Sequence, residues 1–472
     1  MARSILNSNN VPVFDRSKMK KLFGTDGMRG EAGQFPLDAK TIRTVGSSLA
    51  YHLRQHLTRK PLIVIGRDTR ESGIWLERAF IEGVTRAGGD CKSAGVITTP
   101  GIAFLTRDLP ADAGVVVSAS HNPYQDNGIK IFAPSGRKLD DETEHAIETD
   151  VFRGVALGVD SVVVQNESAV ENNGHSLRAR YLNFLAHVVE ENFSLVGLRI
   201  VLDCANGAAS NIAPRLFERL GAKVIAIHNN PDGRNINNDC GSLHTQSLQK
   251  RVVAEGADLG VAFDGDADRS LFVDARGQFV DGDGTLWVLA KYLHAHNQLN
   301  QGLVVATVMS NVGLEIALQS CGLRLLRTNV GDKYVLDELL SSGASLGGEQ
   351  SGHIIFPRLS LAGDGLITTL YLFRALKDGG KKLHELTVGF ERYPQLLVNI
   401  KIREKRPFSE FETIQKLTRE IEANLGNEGR LLLRYSGTEP LARIMIEGKD
   451  HDKIAQYADH LAREIRNSLG AG

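Results

Sequence analysis

The stretch RIVLDCANGAAS, at residues 199–210, opens with a β-branched apolar run and closes in small and polar residues. This pattern is typical of a buried strand that ends in a loop. Two other runs repeat it: PLIVIG at 61–66 precedes RDTR, and LVVATVM at 303–309 precedes SNVG. Amphipathic stretches follow these runs, which gives the order strand, loop, helix. Serial repeats of that order predict α/β layers with parallel pairing, and such folds bind ligands beyond the carboxyl ends of their strands.

The division into domains follows from the length of 472 residues and from breaks in this pattern. A helix is predicted within 37–58, because Ile42, Val45, Leu49 and Leu53 share one helical face. Helical rhythm is lost over 151–176, residues 276–284 are rich in turn formers, and Tyr393-Pro394 marks a third break. We therefore predict a polar arm, three α/β domains and a smaller fourth domain, at 1–20, 21–176, 177–280, 281–394 and 395–472.

Composition excludes several classes of protein. The 55 Lys and Arg residues are balanced by 56 Asp and Glu residues, and without a basic surplus nucleic acid is a disfavoured partner. No apolar run approaches the roughly 18 residues of a membrane span. The four cysteines contain no CxxC pair, which favours a reducing cytoplasm over a disulfide framework. Cys204 is expected in the core, and Cys240, in a loop, is the candidate reactive thiol.

An acidic loop follows the apolar run LGVAF. Asp264, Asp266 and Asp268 are spaced i, i+2 and i+4. Three carboxylates packed together repel one another unless a cation is present, and hard oxygen ligands suit Mg²⁺ or Mn²⁺. A calcium-binding EF-hand is excluded, because its sixth and twelfth positions are here Arg269 and Ala275. The alternative is a solvated acidic turn, which a directly preceding buried strand disfavours.

A hydroxyl-rich loop, SASHNP at 118–123, follows the run AGVVV. It does not match the GxSxG elbow of hydrolases. Ser120, at a strand end, could carry a phosphoryl group near a metal, and Lys130 could bring a positive charge to the same place. From composition alone, a structural turn closed by Pro123 is at least as well supported.

Two further loops combine glycine with polar side chains. GGEQSGH at 347–353 offers Glu, Ser and His for the recognition of hydroxyl groups, although turn glycines are common. RYSGTEP at 434–440, with Arg443 beyond it, offers a guanidinium, two hydroxyls and loop N–H groups to a phosphate, and a hairpin turn is its alternative. No P-loop and no GxGxxG that opens a helix is present, which disfavours nucleotide hydrolysis and dinucleotide chemistry.

These four loops, taken in their order along the chain, resemble those of the α-D-phosphohexomutase superfamily. FGTDGMRG at 23–30 matches the start of that family as well. The resemblance runs from about Lys21 to the C-terminus. It implies three tandem similar α/β domains with mixed sheets plus a smaller α+β C-terminal domain, around a central cleft. Within the superfamily, SASHNPYQDNGIKIF and GEQSGH most resemble the phosphoglucosamine mutases, where Gln350 replaces the Met typical of phosphoglucomutases and phosphomannomutases.

The resemblance also implies roles for individual residues. Ser120 would be the phosphorylated serine and would hold Mg²⁺ together with Asp264, Asp266 and Asp268. Glu349, Ser351 and His353 would bind the sugar. The phosphate that is not transferred would be held by Arg434, Ser436, Gly437, Thr438 and Arg443. The transfer centre would be lined by Arg29, His121, Lys130 and Arg269, with Lys130 the first candidate for moving protons.

The expected reaction interconverts glucosamine 6-phosphate and glucosamine 1-phosphate, a small-molecule hexosamine phosphate pair, with glucosamine 1,6-bisphosphate as primer and activator. A phosphoglucomutase or phosphomannomutase with the same mechanism is the nearest alternative, since Gln350 discriminates weakly between epimers. Two further alternatives are a non-catalytic sugar-phosphate binding protein and a metal-dependent phosphatase. The retention of both the serine and the aspartates disfavours the binding protein. A homodimer is also expected.

Overall fold

The computed structural model describes residues 22–24, 26–154, 167–189, 192–436 and 439–470. The predicted N-terminal arm at 1–20 lies outside these ranges. The described chain forms four separate β-sheets, which follow one another along the sequence and carry helices between their strands. The α/β fold class is confirmed, while the residue-level domain boundaries stay a prediction.

The first sheet has six strands in the order β1-β2-β6-β5-β3-β4. Its strands are β1 (Phe23–Gly24), β2 (Gly27–Glu31), β3 (Leu62–Arg67), β4 (Asp90–Val96), β5 (Ala113–Val117) and β6 (Asp126–Phe132). Strands β5, β3 and β4 are parallel, whereas β1, β2 and β6 are antiparallel to their neighbours, so the sheet is mixed. The helices of this segment are α1 (Ala39–Arg54), α2 (Glu71–Arg86), α3 (Thr99–Asp108), α4 (Asp141–Arg153) and α5 (Glu167–Val188).

The second and third sheets repeat this mixed arrangement. The second has the order β11-β10-β9-β7-β8, with β7 (Arg199–Asp203), β8 (Lys223–Ile227), β9 (Leu259–Phe263), β10 (Ser270–Asp274) and β11 (Phe279–Val280), and helices α6 (Ala213–Arg219) and α7 (Gln246–Glu255). The third, ordered β13-β12-β14-β15, contains β12 (Leu303–Thr307), β13 (Arg324–Thr328), β14 (Leu346–Gly348) and β15 (Ile354–Ile355). Its helices are α8 (Gly282–Ala295), α9 (Val312–Ser320), α10 (Asp332–Ser342), α11 (Gly365–Gly379) and α12 (Leu383–Leu386).

The fourth sheet is smaller and antiparallel, in the order β16-β18-β17. It comprises β16 (Gln395–Lys401), β17 (Gly429–Tyr435) and β18 (Leu441–Gly448), covered by α13 (Glu412–Leu425) and α14 (His451–Leu469). The apolar stripe of α14, from Ile454 to Leu469, is buried as its spacing predicts.

Each of the four polar loops joins two neighbouring antiparallel strands. They lie between β5 and β6, β9 and β10, β14 and β15, and β17 and β18. In the first three sheets, the strand that enters the loop also pairs in parallel with the interior of the sheet. The loops therefore leave from the carboxyl ends of buried parallel strands, where α/β folds bind their ligands.

The apolar core joins the first three segments and leaves the fourth separate. One cluster includes Val64, Leu202 and Leu370, one from each of these segments. The fourth segment packs its own cluster around Ile444 and Leu461. The first three loops are therefore carried on a shared core.

Two expectations from the sequence are wrong. The polar residues 167–176 belong to α5, because Leu177, Tyr181 and Leu185 of the same helix are buried and anchor it. Cys240 is only 1% exposed and burial raises the pKa of its thiol to about 12, so it is not a reactive thiol. Cys204 lies in the core as expected. None of the described helices has the length and apolarity needed to cross a membrane.

Candidate active site

Ser120 is held in a left-handed backbone conformation with a φ of 52°, which is uncommon for a residue other than glycine. Its N–H donates to Ser118 Oγ at 3.0 Å, and Ser118 Oγ donates to Asp68 Oδ2 at 2.7 Å. Its carbonyl accepts from Arg70 Nη2 at 3.1 Å and from Asn237 Nδ2 at 2.9 Å. Strained backbone of this kind persists only where surrounding contacts fix it, and such places are commonly functional sites.

The three aspartates of the acidic loop converge next to Ser120. Carboxylate oxygens of Asp264, Asp266 and Asp268 all lie within 4.8 Å of one another, and the three side chains are buried. Ser120 Oγ donates to Asp264 Oδ2 at 2.5 Å. Thr99 Oγ1 donates to Asp266 Oδ2 at 2.5 Å. The serine loop of the first sheet and the acidic loop of the second therefore form one centre.

The electrostatics of this centre fit a bound cation. Burial, together with the charges of Asp268 and Asp266, raises the pKa of Asp264 well above its usual range. Within the described chain, Asp266 Oδ1 and Asp268 Oδ1 are shielded from solvent and have no hydrogen-bond partner. Buried oxygens of this kind are normally satisfied, and hard oxygen donors suit Mg²⁺ or Mn²⁺. The acidic loop can thus hold a metal ion.

Lys130 supplies the nearest positive charge. Its strand, β6, runs antiparallel to β5 and brings the 2% exposed side chain back toward the acidic loop. Lys130 Nζ lies 3.0 Å from Asp266 Oδ2, 3.3 Å from Asp268 Oδ2 and 3.2 Å from Asp26 Oδ2. Burial alone would lower the pKa of Lys130, but these three carboxylates raise it well above the usual range. Lys130 is therefore held as an ammonium ion.

Two histidines approach the centre from different sides. His121 Nδ1 is 3.3 Å from Ser120 Oγ, and burial with the nearby Arg269 and Arg29 lowers its pKa to about 4. His353 Nδ1 is 3.7 Å from Asp268 Oδ2, while its Nε2 accepts from the Gly363 N–H at 3.2 Å. Burial would lower the pKa of His353, but the nearby carboxylates, Asp268 first, raise it to about 9, so Nδ1 carries a proton that faces Asp268.

Arg29 and Arg269 line the same space. Arg29 pairs with Asp26 and donates from Nη1 to the Ala119 carbonyl at 3.3 Å. The Arg269 N–H donates to Asp264 Oδ1 at 3.2 Å. Among the described residues, the Nε atoms of Arg29 and Arg269 are shielded and have no hydrogen-bond partner, and Arg269 Nε lies 3.8 Å from Asp268 Oδ1. Guanidinium donors left in this state can bind an oxyanion.

The loop GGEQSGH of the third sheet contacts the strand that follows the acidic loop. The Ser270 N–H donates to the Gly352 carbonyl at 3.2 Å, and Gly352 has a φ of 89°, which favours glycine. Glu349 Oε1 accepts from the Gly331 N–H at 3.2 Å. Ser351 Oγ is shielded and has no partner among the described residues. Glu349, Ser351 and His353 are therefore brought to the centre.

The fourth loop is not brought to the other three. Arg434 lies in β17 opposite Arg443 in β18, and Arg443 Nη2 pairs with Glu439 Oε2 at 3.0 Å. The Ser436 carbonyl accepts from Lys405 Nζ at 2.6 Å. Among the described residues, no hydrogen bond or ion pair joins this loop to the reaction centre. The predicted phosphate ligands Gly437 and Thr438 lie outside the described residues.

Sequence reasoning missed several residues that build the centre. Asp68 and Arg70 are fully buried, and Arg70 Nη2 also donates to the Asn122 carbonyl at 2.6 Å. The charged cluster RDTR, directly after a buried strand, was the available signal. Nothing local marked Asn237, which reaches the serine loop from another segment.

A cavity of about 410 Å³ lies beside the reaction centre, between the first and third segments. Its walls include Lys130, Asp268 and His353. Lys138 crosses the gap between the segments, with Nζ 2.8 Å from Asp26 Oδ1 and 2.7 Å from Asp332 Oδ2. The ion pairs of Lys138 thus connect the first and third segments at the edge of the site.

Four family profiles match successive parts of the chain. They are described as phosphoglucomutase/phosphomannomutase alpha/beta/alpha domain I at 20–156, domain II at 179–277, domain III at 281–393 and C-terminal domain at 397–464. The chain belongs to the phosphoglucomutase/phosphomannomutase family. Each of the four polar loops lies within one matched domain of this family.

Relatives in this family are similar over nearly the whole chain. A phosphoglucosamine mutase of Solibacter usitatus is 47% identical over 96% of this chain and 99% of its own length. One from Myxococcus xanthus is 45% identical over 97% of this chain and 100% of its own length. A phosphoglucomutase/phosphomannomutase family structure from Burkholderia thailandensis covers 96% of this chain and 99% of its own, with a TM-score of 0.76 at 23% identity, and so shares the fold.

Proposed function

We propose that this chain is a phosphoglucosamine mutase that interconverts glucosamine 6-phosphate and glucosamine 1-phosphate. The observation that carries the proposal is Ser120 Oγ, presented on a strained backbone 2.5 Å from Asp264 and within a centre rich in unpartnered oxygens and guanidinium groups. The name carried by relatives at 42–47% identity supports the substrate.

In the proposed reaction, Ser120 carries a phosphoryl group and transfers it to a free hydroxyl of the bound hexosamine phosphate. The bond between phosphorus and Ser120 Oγ breaks, and one between phosphorus and the sugar oxygen forms, which gives glucosamine 1,6-bisphosphate. The sugar hydroxyl gives its proton to a base, Ser120 Oγ takes up a proton as it leaves, and the other phosphate is then transferred to Ser120 by the reverse of this step. The same bisphosphate, added in trace amounts, would prime an unphosphorylated enzyme.

Catalysis of this step depends on positioning and on stabilisation of charge. Asp264, Asp266 and Asp268, with the phosphate on Ser120, would hold Mg²⁺, which when bound neutralises charge on the phosphoryl oxygens. The Lys130 ammonium and the guanidinium groups of Arg29 and Arg269 lie around the same space. His121, as a neutral imidazole 3.3 Å from Ser120 Oγ, is a better proton acceptor than Lys130 in this structure. Lys130, the first candidate from the sequence for moving protons, is held as an ammonium ion by three carboxylates and would instead stabilise negative charge.

Binding must accept the sugar in both orientations. Glu349 and Ser351 offer an acceptor and a hydroxyl to the sugar, and His353 lies beside them. Arg434, Ser436, Gly437, Thr438 and Arg443 would hold the distal phosphate. Because the fourth segment has its own core, it can close over each pose and open for the turn between them. Closure would exclude the water that otherwise hydrolyses the phosphoserine. We also propose that the protein acts in the cytoplasm and forms a homodimer.

A direct comparison of substrates tests this function. Glucosamine, glucose and mannose phosphates would be assayed side by side with Mg²⁺ and a trace of hexose 1,6-bisphosphate, with free phosphate monitored. Dominant turnover of glucosamine phosphate without phosphate release supports the proposal. Preference for glucose or mannose phosphate would favour phosphoglucomutase or phosphomannomutase activity. Net release of phosphate would favour a phosphatase. The absence of turnover would favour a sugar-phosphate binding protein.

A further inference from the structure

A second group of metal-ligating side chains lies in the second sheet, apart from the acidic loop. Asp203 ends β7, His228 directly follows β8, and Cys240 lies in the loop that leads to α7. Strands β7 and β8 are parallel, with Asp203 opposite Ile227, which sets the next residue, His228, beside the carboxylate. One ligand atom from each of the three side chains lies within 4.8 Å of the other two.

Two of the three side chains are buried, and the third is partly exposed. Asp203 is fully buried and Cys240 is 1% exposed, whereas the His228 side chain is 31% exposed. His228 Nδ1 is 3.0 Å from Asp203 Oδ2, but it is shielded and no hydrogen bond of normal geometry reaches it from any described residue. The polar neighbour of Cys240 Sγ is Asn206 Nδ2, at 4.0 Å. The Asp203 carboxylate accepts from the Ala205 and Gly241 N–H groups at 2.9 and 3.0 Å and faces the imidazole, whereas the thiol has only a weak polar neighbour.

We propose that Asp203, His228 and Cys240 form a binding site for a zinc-type divalent cation, distinct from the magnesium-type site at the acidic loop. A thiolate, an imidazole nitrogen and a carboxylate oxygen are the ligands that Zn²⁺ takes in proteins, whereas Mg²⁺ prefers oxygens alone. Three protein ligands leave a fourth position for water, which can enter along the exposed edge of His228. Binding releases the thiol proton to solvent as the metal–sulfur bond forms.

The site would act on the loop that supports the reactive serine. This loop begins at His228 and reaches Cys240, and it contains Asn237, whose Nδ2 donates to the carbonyls of Ser120 and Asn122 at 2.9 and 3.0 Å. The Asn237 N–H donates to the Ala205 carbonyl at 2.9 Å. A cation that ties His228 and Cys240 to Asp203 fixes both ends of the loop and so stabilises the position of Asn237. This role goes beyond the proposed mutase reaction and does not depend on it.

Cobalt titration of the reduced full-length protein, with Mg²⁺ present to occupy the acidic loop, tests the proposal without an activity assay. We expect one equivalent of Co²⁺ to bind with a thiolate-to-cobalt charge-transfer absorption, and Zn²⁺ to displace it. Cys240→Ser should abolish the band. His228→Gln, a change at a partly exposed side chain, should weaken Co²⁺ binding at least about 10-fold.

Two cysteine controls distinguish the source of the thiolate. Cys321→Ser, at an exposed cysteine, and Cys204→Ala, at a core cysteine, should both keep the band. The proposal is overturned if the wild-type protein gives no thiolate band, if the band survives Cys240→Ser, or if either control abolishes it. Should Cys240→Ser fail to fold, the wild-type titration and His228→Gln still decide the question.

Discussion

Ser120 Oγ donates a hydrogen bond of 2.5 Å to Asp264 Oδ2, although 144 positions separate the two residues in the chain. One residue follows β5 of the first sheet and the other follows β9 of the second. Their contact joins the loops of two different sheets in one centre. The predictions below test that centre and the contacts that hold it.

Removal of the Ser120 hydroxyl should abolish turnover. Without it no phosphoryl group can be carried, so kcat of Ser120→Ala should fall at least about 10³-fold while ligand binding stays measurable. Turnover would be followed with glucosamine 6-phosphate, and intact mass would report one phosphoryl group in the wild type and none in the variant. Ser341→Ala, at an exposed serine of α10, is the matched control and should keep full activity. Full activity of Ser120→Ala would contradict the phosphoserine role.

Mg²⁺ should stabilise the folded protein through the acidic loop. A cation that binds only the folded state raises the free energy of unfolding, so Mg²⁺ should raise Tm and chelation should abolish turnover. Asp266→Asn removes one of the converging carboxylates and should abolish the Mg²⁺-dependent rise in Tm. Glu422→Gln, at an exposed residue of α13, should retain it. An unchanged response in Asp266→Asn would remove the acidic loop as the metal site.

Loss of the Asn237 amide should lower kcat, because its hydrogen bonds hold the backbone of the serine loop. Its Nδ2 donates to two carbonyls of the serine loop, so Asn237→Ala leaves both without that donor. We expect kcat to fall about 10-fold and the free energy of unfolding to fall by about 1–3 kcal/mol.

Asn297 provides a matched control for backbone strain. Asn237 has a φ of 58° and Asn297 a φ of 57°, but Asn297 is exposed and far from the serine loop in sequence. Asn297→Ala therefore carries the same conformational cost without the lost donor. Equal effects of the two substitutions on kcat would show that strain, and not the hydrogen bonds, explains the result.

Replacement of Lys138 by methionine should destabilise the junction between the first and third segments. Lys138 lies between Asp26 and Asp332 and is largely enclosed, so its loss leaves two carboxylates facing each other. We expect the free energy of unfolding to fall by about 2–3 kcal/mol. Lys60→Met breaks the exposed Lys60–Asp90 pair, 3.9 Å apart, and should cost less than about 1 kcal/mol. Urea unfolding of both variants measures the difference, and equal losses would argue against a junction role.

Asp283 should make stability fall as pH rises toward neutrality. Burial and the nearby Asp281 raise its pKa from 3.8 to about 7. Between these values the folded state keeps a proton that the unfolded state has released. Its stabilising contribution is therefore complete below pH 3.8 and is lost as pH rises to about 7.

Asp283→Asn should remove most of this dependence. An asparagine oxygen can still accept from the Asn311 N–H, which donates to Asp283 Oδ2 at 2.8 Å. The variant should equal the wild type near pH 4 and be more stable near pH 8.5, by on the order of 3 kcal/mol. Asp459→Asn, at an exposed residue of α14, should behave like the wild type at both values. Parallel pH profiles of the wild type and Asp283→Asn would contradict the prediction.

The local pattern of the sequence determined the fold class and the chemistry of the separate loops. Alternation of apolar runs with polar clusters predicted α/β layers with parallel pairing, because strand burial and loop solvation act over a few residues. The residue types of the acidic loop predicted a cation, because like charges at that spacing repel wherever they fold. The loss of helical rhythm read over 151–176 was wrong for 167–176, because buried residues further along α5 keep its polar first turns helical.

Only the tertiary structure decided how the loops combine. Ser120 meets Asp264, Lys130 meets Asp266, and His353 meets Asp268 because three sheets share one core, and no local pattern records which strand ends will face one another. The same holds for Asn237, whose amide matters through two carbonyls more than a hundred positions away. Burial likewise reversed the expectation for Cys240, since solvent exposure depends on what packs over a loop and not on the loop's own residues.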